Sequence, residues 1–273
     1  MQLFSQLAPA ETLLLIEGGK SEFKDLLKYT FVNLILQKVL NITYQDKNKE
    51  VAYVSTGVNY GKREPKPYEI CFISAFVKNR DLKVLLTSYV KIVNQNSKGK
   101  VKFRDKICRQ EHVNYYFKNS LLLKFFNICS LSASGKEKQK ELKNYIAHSQ
   151  QNLNELIKTD EKKAMEMIFS LGNNIVLIKN FDYELLKTFD KEIYKRYAND
   201  WGADDGAEWA ILDSWFLFET VDFYDEFDNG SFFDSFDSFD SWDSDTTSFG
   251  CSSCSSCSSC SGCGGCGGCG GCG

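Results

Sequence analysis

Apolar positions in the first 200 residues recur mostly at helical spacing. Residues 10–16 read as a short helix that ends at Gly18-Gly19. From Ser21, a natural N-cap, the residues Phe23, Leu27, Phe31, Leu34 and Ile35 keep a helical period as far as Leu40. Ile42-Thr43-Tyr44 and Val51-Ala52-Tyr53-Val54 then flank Asp46-Lys47-Asn48, the pattern of a β-hairpin. A long helix running directly into a hairpin is the outline of a winged-helix unit, which serves DNA binding and plain scaffolding alike.

Pro65 and Pro67 punctuate the chain before a second helical block. Tyr68 to Val77 and Leu82 to Val93 have helical periodicity, Val101 to Arg109 reads as extended, and Val113 to Ile128 as an aromatic-rich helix. Ser134 to Ile157 is a charged helix with an apolar stripe at Leu142, Ile146, Leu153 and Ile157, and Glu161 to Leu171 a shorter one. Gly172-Asn173-Asn174 breaks it, Ile175 to Ile178 is a short apolar run, and Tyr183 to Tyr197 reads as a last helix. From Trp201 the helical signal fades, although Trp209, Ile211, Leu212, Trp215, Phe216 and Phe218 suit one more packed helix. The expected fold class is mainly α with small β-hairpins (α+β, winged-helix-like units) and a disordered low-complexity C-terminal tail. The expected organisation is a winged-helix-like unit over 1–64, a helical domain over 65–200, an acidic aromatic linker over 201–232 and a triplet-repeat tail over 233–273.

The tail carries the most distinctive chemistry. Aromatic-acid-serine triplets run from Phe233-Asp234-Ser235 to Trp242-Asp243-Ser244, and a three-residue register resumes at Cys251, Cys254, Cys257, Cys260, Cys263, Cys266, Cys269 and Cys272. The residues between these cysteines grade from Ser-Ser to Gly-Gly, so the stretch offers no aliphatic side chain for a core. Each CxxC pair can chelate a soft or borderline ion, and eight thiolates can fill two tetrahedral four-thiolate sites for Zn or Cu(I). In an extended helix of three residues per turn all eight sulfurs fall on one side. Structural zinc sites also draw on supporting groups that Gly and Ser do not provide, which leaves such a tail affinity without selectivity.

Charge divides the chain in the same place. All 33 basic residues lie in 1–200, against 22 acidic ones, whereas 14 acidic and no basic residues follow position 201. The body is therefore +11 and the tail −14, an asymmetry that predicts either tail–body self-association or an anionic partner for the body. The Phe-Asp-Ser triplets, aromatic and acidic by turns, suit a basic and apolar groove of the same or a neighbouring molecule. Lys98, Lys100, Lys102, Arg104 and Lys106 alternate with Gly99, Val101, Phe103 and Asp105. On a strand this places five cations on one face, a strip for nucleic-acid backbone or anionic lipid headgroups, or else an edge strand guarded by lysines.

Other signals are negative. The opening Met-Gln-Leu-Phe-Ser-Gln lacks the basic start of a secretory signal, and no stretch approaches the roughly 18–20 apolar residues of a membrane span. A cytoplasmic location is the expectation, where thiols stay reduced and CxxC spacing points to metal or to enzymatic modification. Gly19-Lys20-Ser21 imitates the end of a phosphate-binding loop, but Leu14 stands where that motif needs glycine. Cys108 and His112 are four apart and on a helix could face one ion, but no further ligand is nearby in sequence. With His112 and His148 the only histidines and no paired carboxylates in an apolar setting, the residues point to binding and not to an enzyme.

Three resemblances bear on function. Residues 251–273 resemble the core peptides of thiazole/oxazole-modified microcins, whose Gly-Ser-Cys runs are cyclodehydrated to heterocycles, and this implies a precursor whose tail is a substrate. The Leu13-Leu14-Leu15-Ile16-Glu17-Gly18-Gly19 segment, the helix at 21–40, the hairpin at 42–54, Pro67-Tyr68-Glu69 and the closing Cys-Gly-Gly triplets together resemble uncharacterised bacterial proteins. Those proteins join a helical, winged-helix-like N-terminal region to a Gly/Cys-rich tail, which implies architecture more than function. The leading segments are also similar to the Golgi phosphoprotein-3-like fold, which implies phosphoinositide binding without placing any ligand residue here. The expected function is that of a binding or scaffold protein whose cysteine tail takes up soft metal ions. The alternatives are the heterocyclised precursor and a winged-helix module for nucleic acid or anionic lipid.

Overall fold

The computed structural model describes residue 4 and residues 6–45, 51–118 and 129–179. Helix α1 (Pro9–Glu17) opens on a proline, whose fixed φ suits the first helical position. The Glu11 carboxylate accepts the Ala8 N–H at 2.8 Å, meeting one amide that a helix start leaves unpaired. Ala8 has no acceptor to return the bond, so the cap is one-sided. Pro9 through Leu15 are all buried, as befits a helix enclosed on every side.

Helix α2 (Phe23–Leu36) follows and closes in a Schellman motif. Lys38 takes the left-handed conformation at φ 53°, its N–H bonds the Ile35 carbonyl at 2.8 Å, and the Val39 N–H bonds that of Leu34 at 2.9 Å. Strands β1 (Leu40–Tyr44) and β2 (Ala52–Thr56) pair antiparallel with Ile42 opposite Val54. Strand β3 (Val84–Leu85) adds to the far side of β2, giving a three-stranded antiparallel sheet in the order β1-β2-β3. Between β2 and β3 lie α3 (Ile70–Ile73) and a 3₁₀ turn at Ser74–Phe76. After β3 come α4 (Leu86–Ser97), α5 (Lys100–Cys108) and α6 (Glu111–Asn114). The chain continues through α7 (Ala133–Thr159), α8 (Glu161–Leu171) and a 3₁₀ stretch, Gly172–Leu177.

Helix α7 starts where Ser132 accepts the Gly135 N–H at 3.0 Å, and packs against α1 and α8. Gln139 reaches across to the Ile16 carbonyl at 2.7 Å and so satisfies the C-terminal end of α1. Asp160 caps α8 through the Lys163 N–H at 3.1 Å. The 3₁₀ stretch returns to the N-terminus through Asn174. This buried amide donates to the carbonyls of Phe4, Leu7 and Leu171 at 2.8, 2.9 and 3.1 Å.

An aromatic cluster joins the middle of the fold. Phe31 of α2 stacks on Phe72 at 6.2 Å and tilts against Tyr89 at 5.3 Å, while Phe103 meets Phe23, Tyr68 and Phe72 at 5.8, 6.2 and 6.5 Å. The Tyr89 hydroxyl, fully buried, donates to the Phe72 carbonyl at 2.8 Å. One continuous cluster of buried side chains runs from Phe4 to Ile178 and contains residues from both sides of position 64.

The architecture is thus mainly helical with a small antiparallel sheet, as the periodicity predicts. The helices expected at 10–16, 21–40, 134–157 and 161–171 and the hairpin at 42–54 are present within a few residues. Three segments differ. Val84 and Leu85 leave the helix expected from Leu82 and extend the sheet. Of the helix expected over Val113 to Ile128, the described part differs: α6 ends at Asn114 and Phe117 forms an antiparallel bridge with Leu131, while residues 119–128 lie outside the described residues.

The third difference is Val101 to Arg109, read as extended because its charges alternate; it is helix α5. Gly99 at φ 83° turns the chain, and Phe103 and Ile107, four apart, form the buried stripe that a helix presents. Val101, the other apolar residue of the alternation, is 43% exposed. The expected helix at Tyr183 to Tyr197, the linker and the tail lie outside the described residues. No helix among the described residues is long and apolar enough to cross a membrane.

Candidate functional site

Helix α5 redistributes the cation strip. At about 100° per residue, Lys100 and Arg104 share one side of the helix and Lys102 and Lys106 another. Lys98 precedes the helix altogether, closing α4 in the left-handed conformation at φ 66°. The five cations therefore do not share the single face that a strand would give them. The eight tail cysteines lie outside the described residues. Among the described residues no group of three or more His, Cys, Asp and Glu side chains is placed to hold a metal ion. Cys108 and His112 diverge: the thiol meets Cys129, and the imidazole turns to α1.

The densest polar constellation is built on Glu11, in the first turn of α1. Its carboxylate is fully buried and gathers donors from the start of its own helix and from two other parts of the chain. Oε1 accepts from Lys66 Nζ and from the Tyr68 hydroxyl, each at 2.8 Å. Oε2 accepts from the Ala8 N–H and pairs with His112 Nε2, again at 2.8 Å. His112 Nε2 donates in the cation and in the neutral tautomer that carries its proton there. Burial by itself pushes the carboxyl upward. The His112 bond, the Lys66 charge and bond, and the Ala8 N–H outweigh it and hold the pKa at about 2.

Tyr68 shows the reverse effect. Burial first, then the neighbouring Glu11 and Glu69 carboxylates, push its phenol well above the ordinary value. Both groups thus keep one protonation state across the neutral range, Glu11 as the anion and Tyr68 as the neutral donor.

A second buried carboxylate sits beside the first. Glu69 receives a two-pronged contact from Arg63, at 2.7 Å to Oε2 and 3.0 Å to Oε1, and Oε2 also accepts the Lys66 N–H at 2.9 Å. Arg63 donates in addition to Gln37 Oε1 at 2.6 Å, at the end of α2. Residues 63–69 therefore satisfy two buried acids at once, and Lys66 serves both, one with its backbone and the other with its ammonium. Arg63 and Glu69 line an open cleft of about 180 Å³. Arg80 and Tyr60 line it too, with the guanidinium over the Tyr60 ring at 5.5 Å.

No local motif gives Glu11 or Glu69 a functional role, although one signal marks Glu11. It is the only charged residue between Leu7 and Ile16, and an acid inside such a run is buried and must be paired. Its partners lie 55, 57 and 101 residues away, beyond the reach of any local pattern.

No family model matches this chain, and no curated protein or solved structure matches it either.

Proposed function

We propose that this protein is a binding or scaffold protein whose helical body carries a thiol-rich tail for soft cations, Zn or Cu(I). The observation that supports the reading is the register of Cys251, Cys254, Cys257, Cys260, Cys263, Cys266, Cys269 and Cys272 in a segment without Lys or Arg. Thiolates are the ligands of both ions, and four of them complete a tetrahedral zinc site. Ionising thiols in a segment that follows 14 acidic residues concentrates negative charge, which a bound cation relieves. The +11 body is the nearest counter-charge, so tail–body association is the second part of the proposal. The body supplies a fixed frame, because its two buried carboxylates are satisfied by internal donors. Catalysis forms no part of this reading.

Intact mass under native and denaturing conditions tests it. Extra native mass from zinc or copper, absent after denaturation and lost when the eight tail cysteines become serine, is the expected result. The gradation from Ser-Ser to Gly-Gly between the cysteines favours one other reading, the heterocyclised precursor. A denatured mass short by whole multiples of one water within 251–273 would establish that reading and overturn thiolate ligation.

A further inference from the structure

We propose that Cys108 and Cys129 are a thiol–disulfide exchange site in the body, which a low-molecular-weight disulfide of the glutathione class oxidises to an intramolecular disulfide. The two residues belong to separately anchored segments whose sulfurs meet at 2.7 Å. Cys108 is the last residue of α5, where Arg109 folds back on Asp105 at 2.7 Å. Cys129 enters a segment fixed by the Lys118 N–H on the Ser130 carbonyl at 2.8 Å and the Ser132 N–H on the Tyr116 carbonyl at 2.9 Å. The Phe117–Leu131 bridge lies between those two bonds. The backbone thus delivers both thiols to one point.

The separation distinguishes the chemistry. Two thiolates that share one metal ion at about 2.3 Å each stand well over 3 Å apart. Cys108 and Cys129 instead have their sulfurs in direct contact, with no space for an ion between them.

The two thiols differ in role. Cys108 is buried and donates its S–H to Cys129, which is partly exposed. That bond holds the Cys129 thiol below its ordinary value, against burial and Asp105, with help from Arg104 and Arg109. The same contact, then burial, pushes Cys108 upward. The Cys129 thiolate is therefore the attacking sulfur. It displaces one thiolate from the small disulfide RSSR and forms a mixed disulfide. Cys108 then gives its proton to solvent and attacks Cys129 Sγ, and the second RS⁻ leaves. Two protein thiols have lost two electrons and two protons, and one RSSR has become two RSH.

Cys71 is the internal control. It is buried, its S–H bonds the Tyr68 carbonyl at 3.2 Å, and burial pushes its pKa to about 12. The test incubates the full-length protein in glutathione buffers of stepped ratio, alkylates the remaining thiols under denaturing conditions and maps the digest without reduction. The expected product is a peptide linking Cys108 to Cys129 that exceeds every other pairing among the eleven cysteines, with Cys71 alkylated throughout. C108A should leave Cys129 as its mixed disulfide with glutathione, since the resolving sulfur is gone. Oxidation confined to the tail, or Cys129 scrambled among the tail cysteines in the unsubstituted protein, would overturn the proposal. Running the test with and without a chelator separates it from the tail reading, since the Cys108–Cys129 link is expected in both.

Discussion

Replacing Glu11 with Gln removes one buried charge and little shape, which makes it a direct probe of the constellation at the start of α1. The carboxyl titrates at about 2 in the folded protein against an ordinary 4.5. A depressed folded pKa contributes stability that is fully present above the unfolded value and lost as pH falls through the folded one. For Glu11 that window runs from 4.5 down to about 2. The gap corresponds to about 3 kcal/mol, and the side chain has no solvent exposure that would weaken it by screening. That gap already includes the Lys66 charge, which in the variant faces an uncharged amide, so the expected loss near neutral pH is about 3 kcal/mol. Lys66 keeps 27% of its side-chain surface exposed and can turn to water, so its own desolvation adds little. Urea unfolding of both proteins, stepped from about pH 7 to about pH 2, is the assay. The two stability curves should stay parallel above 4.5, converge below it and meet near 2. E11Q/K66M should recover part of the loss, because the orphaned ammonium goes too. A difference that stays constant with pH, or a loss below about 0.5 kcal/mol at neutrality, would refute the assignment.

Three further substitutions probe the frame around that constellation. G57A places a Cβ against the Lys38 carbonyl, where the Gly57 N–H already bonds Val39 at 2.9 Å, so urea unfolding should show a loss of about 1–3 kcal/mol. N174A removes two bonds that tie residues 4 and 7 to the 3₁₀ stretch and a third to the Leu171 carbonyl. It should cost about 2–4 kcal/mol and speed amide exchange in α1 selectively, which hydrogen-exchange mass spectrometry can read. K38G relieves a left-handed residue at φ 53° in the Schellman turn and should raise the unfolding free energy by about 1 kcal/mol, seen as a higher urea midpoint at an unchanged m-value.

Local pattern and long-range pairing were legible to different degrees, and α5 shows why. Its charges alternate with a period of two, the signature of a strand, while its buried residues Phe103 and Ile107 follow the helical spacing. The surface charges carry the less reliable period, because solvated side chains do not care which element presents them. Burial does. Reading the apolar positions alone, with Cys108 beside Ile107, would have favoured the helix. The helix expected from Leu82 lost its first turn for a different reason: Val84 is taken up by Val54 of β2, a partner thirty residues upstream.

The same distinction governs the polar groups. Gly172-Asn173-Asn174 reads correctly as a helix stop, yet Asn174 is also a buried clamp on the N-terminal segment, about 170 residues away. Glu11 reads as an intruder in an apolar run, and only the fold supplies Lys66, Tyr68 and His112. Cysteine follows the rule as well. The tail thiols declare themselves by a three-residue register that needs no fold, whereas Cys108 and Cys129 are 21 apart with no motif between them. A thiol array built from repetition is visible in one dimension. A thiol pair built from two anchored segments exists only once the Phe117–Leu131 bridge and α5 bring those segments together. The two cysteine populations should therefore separate by experiment: unfolding the body should abolish selective Cys108–Cys129 pairing, whereas the soft-cation binding proposed for the tail should survive it.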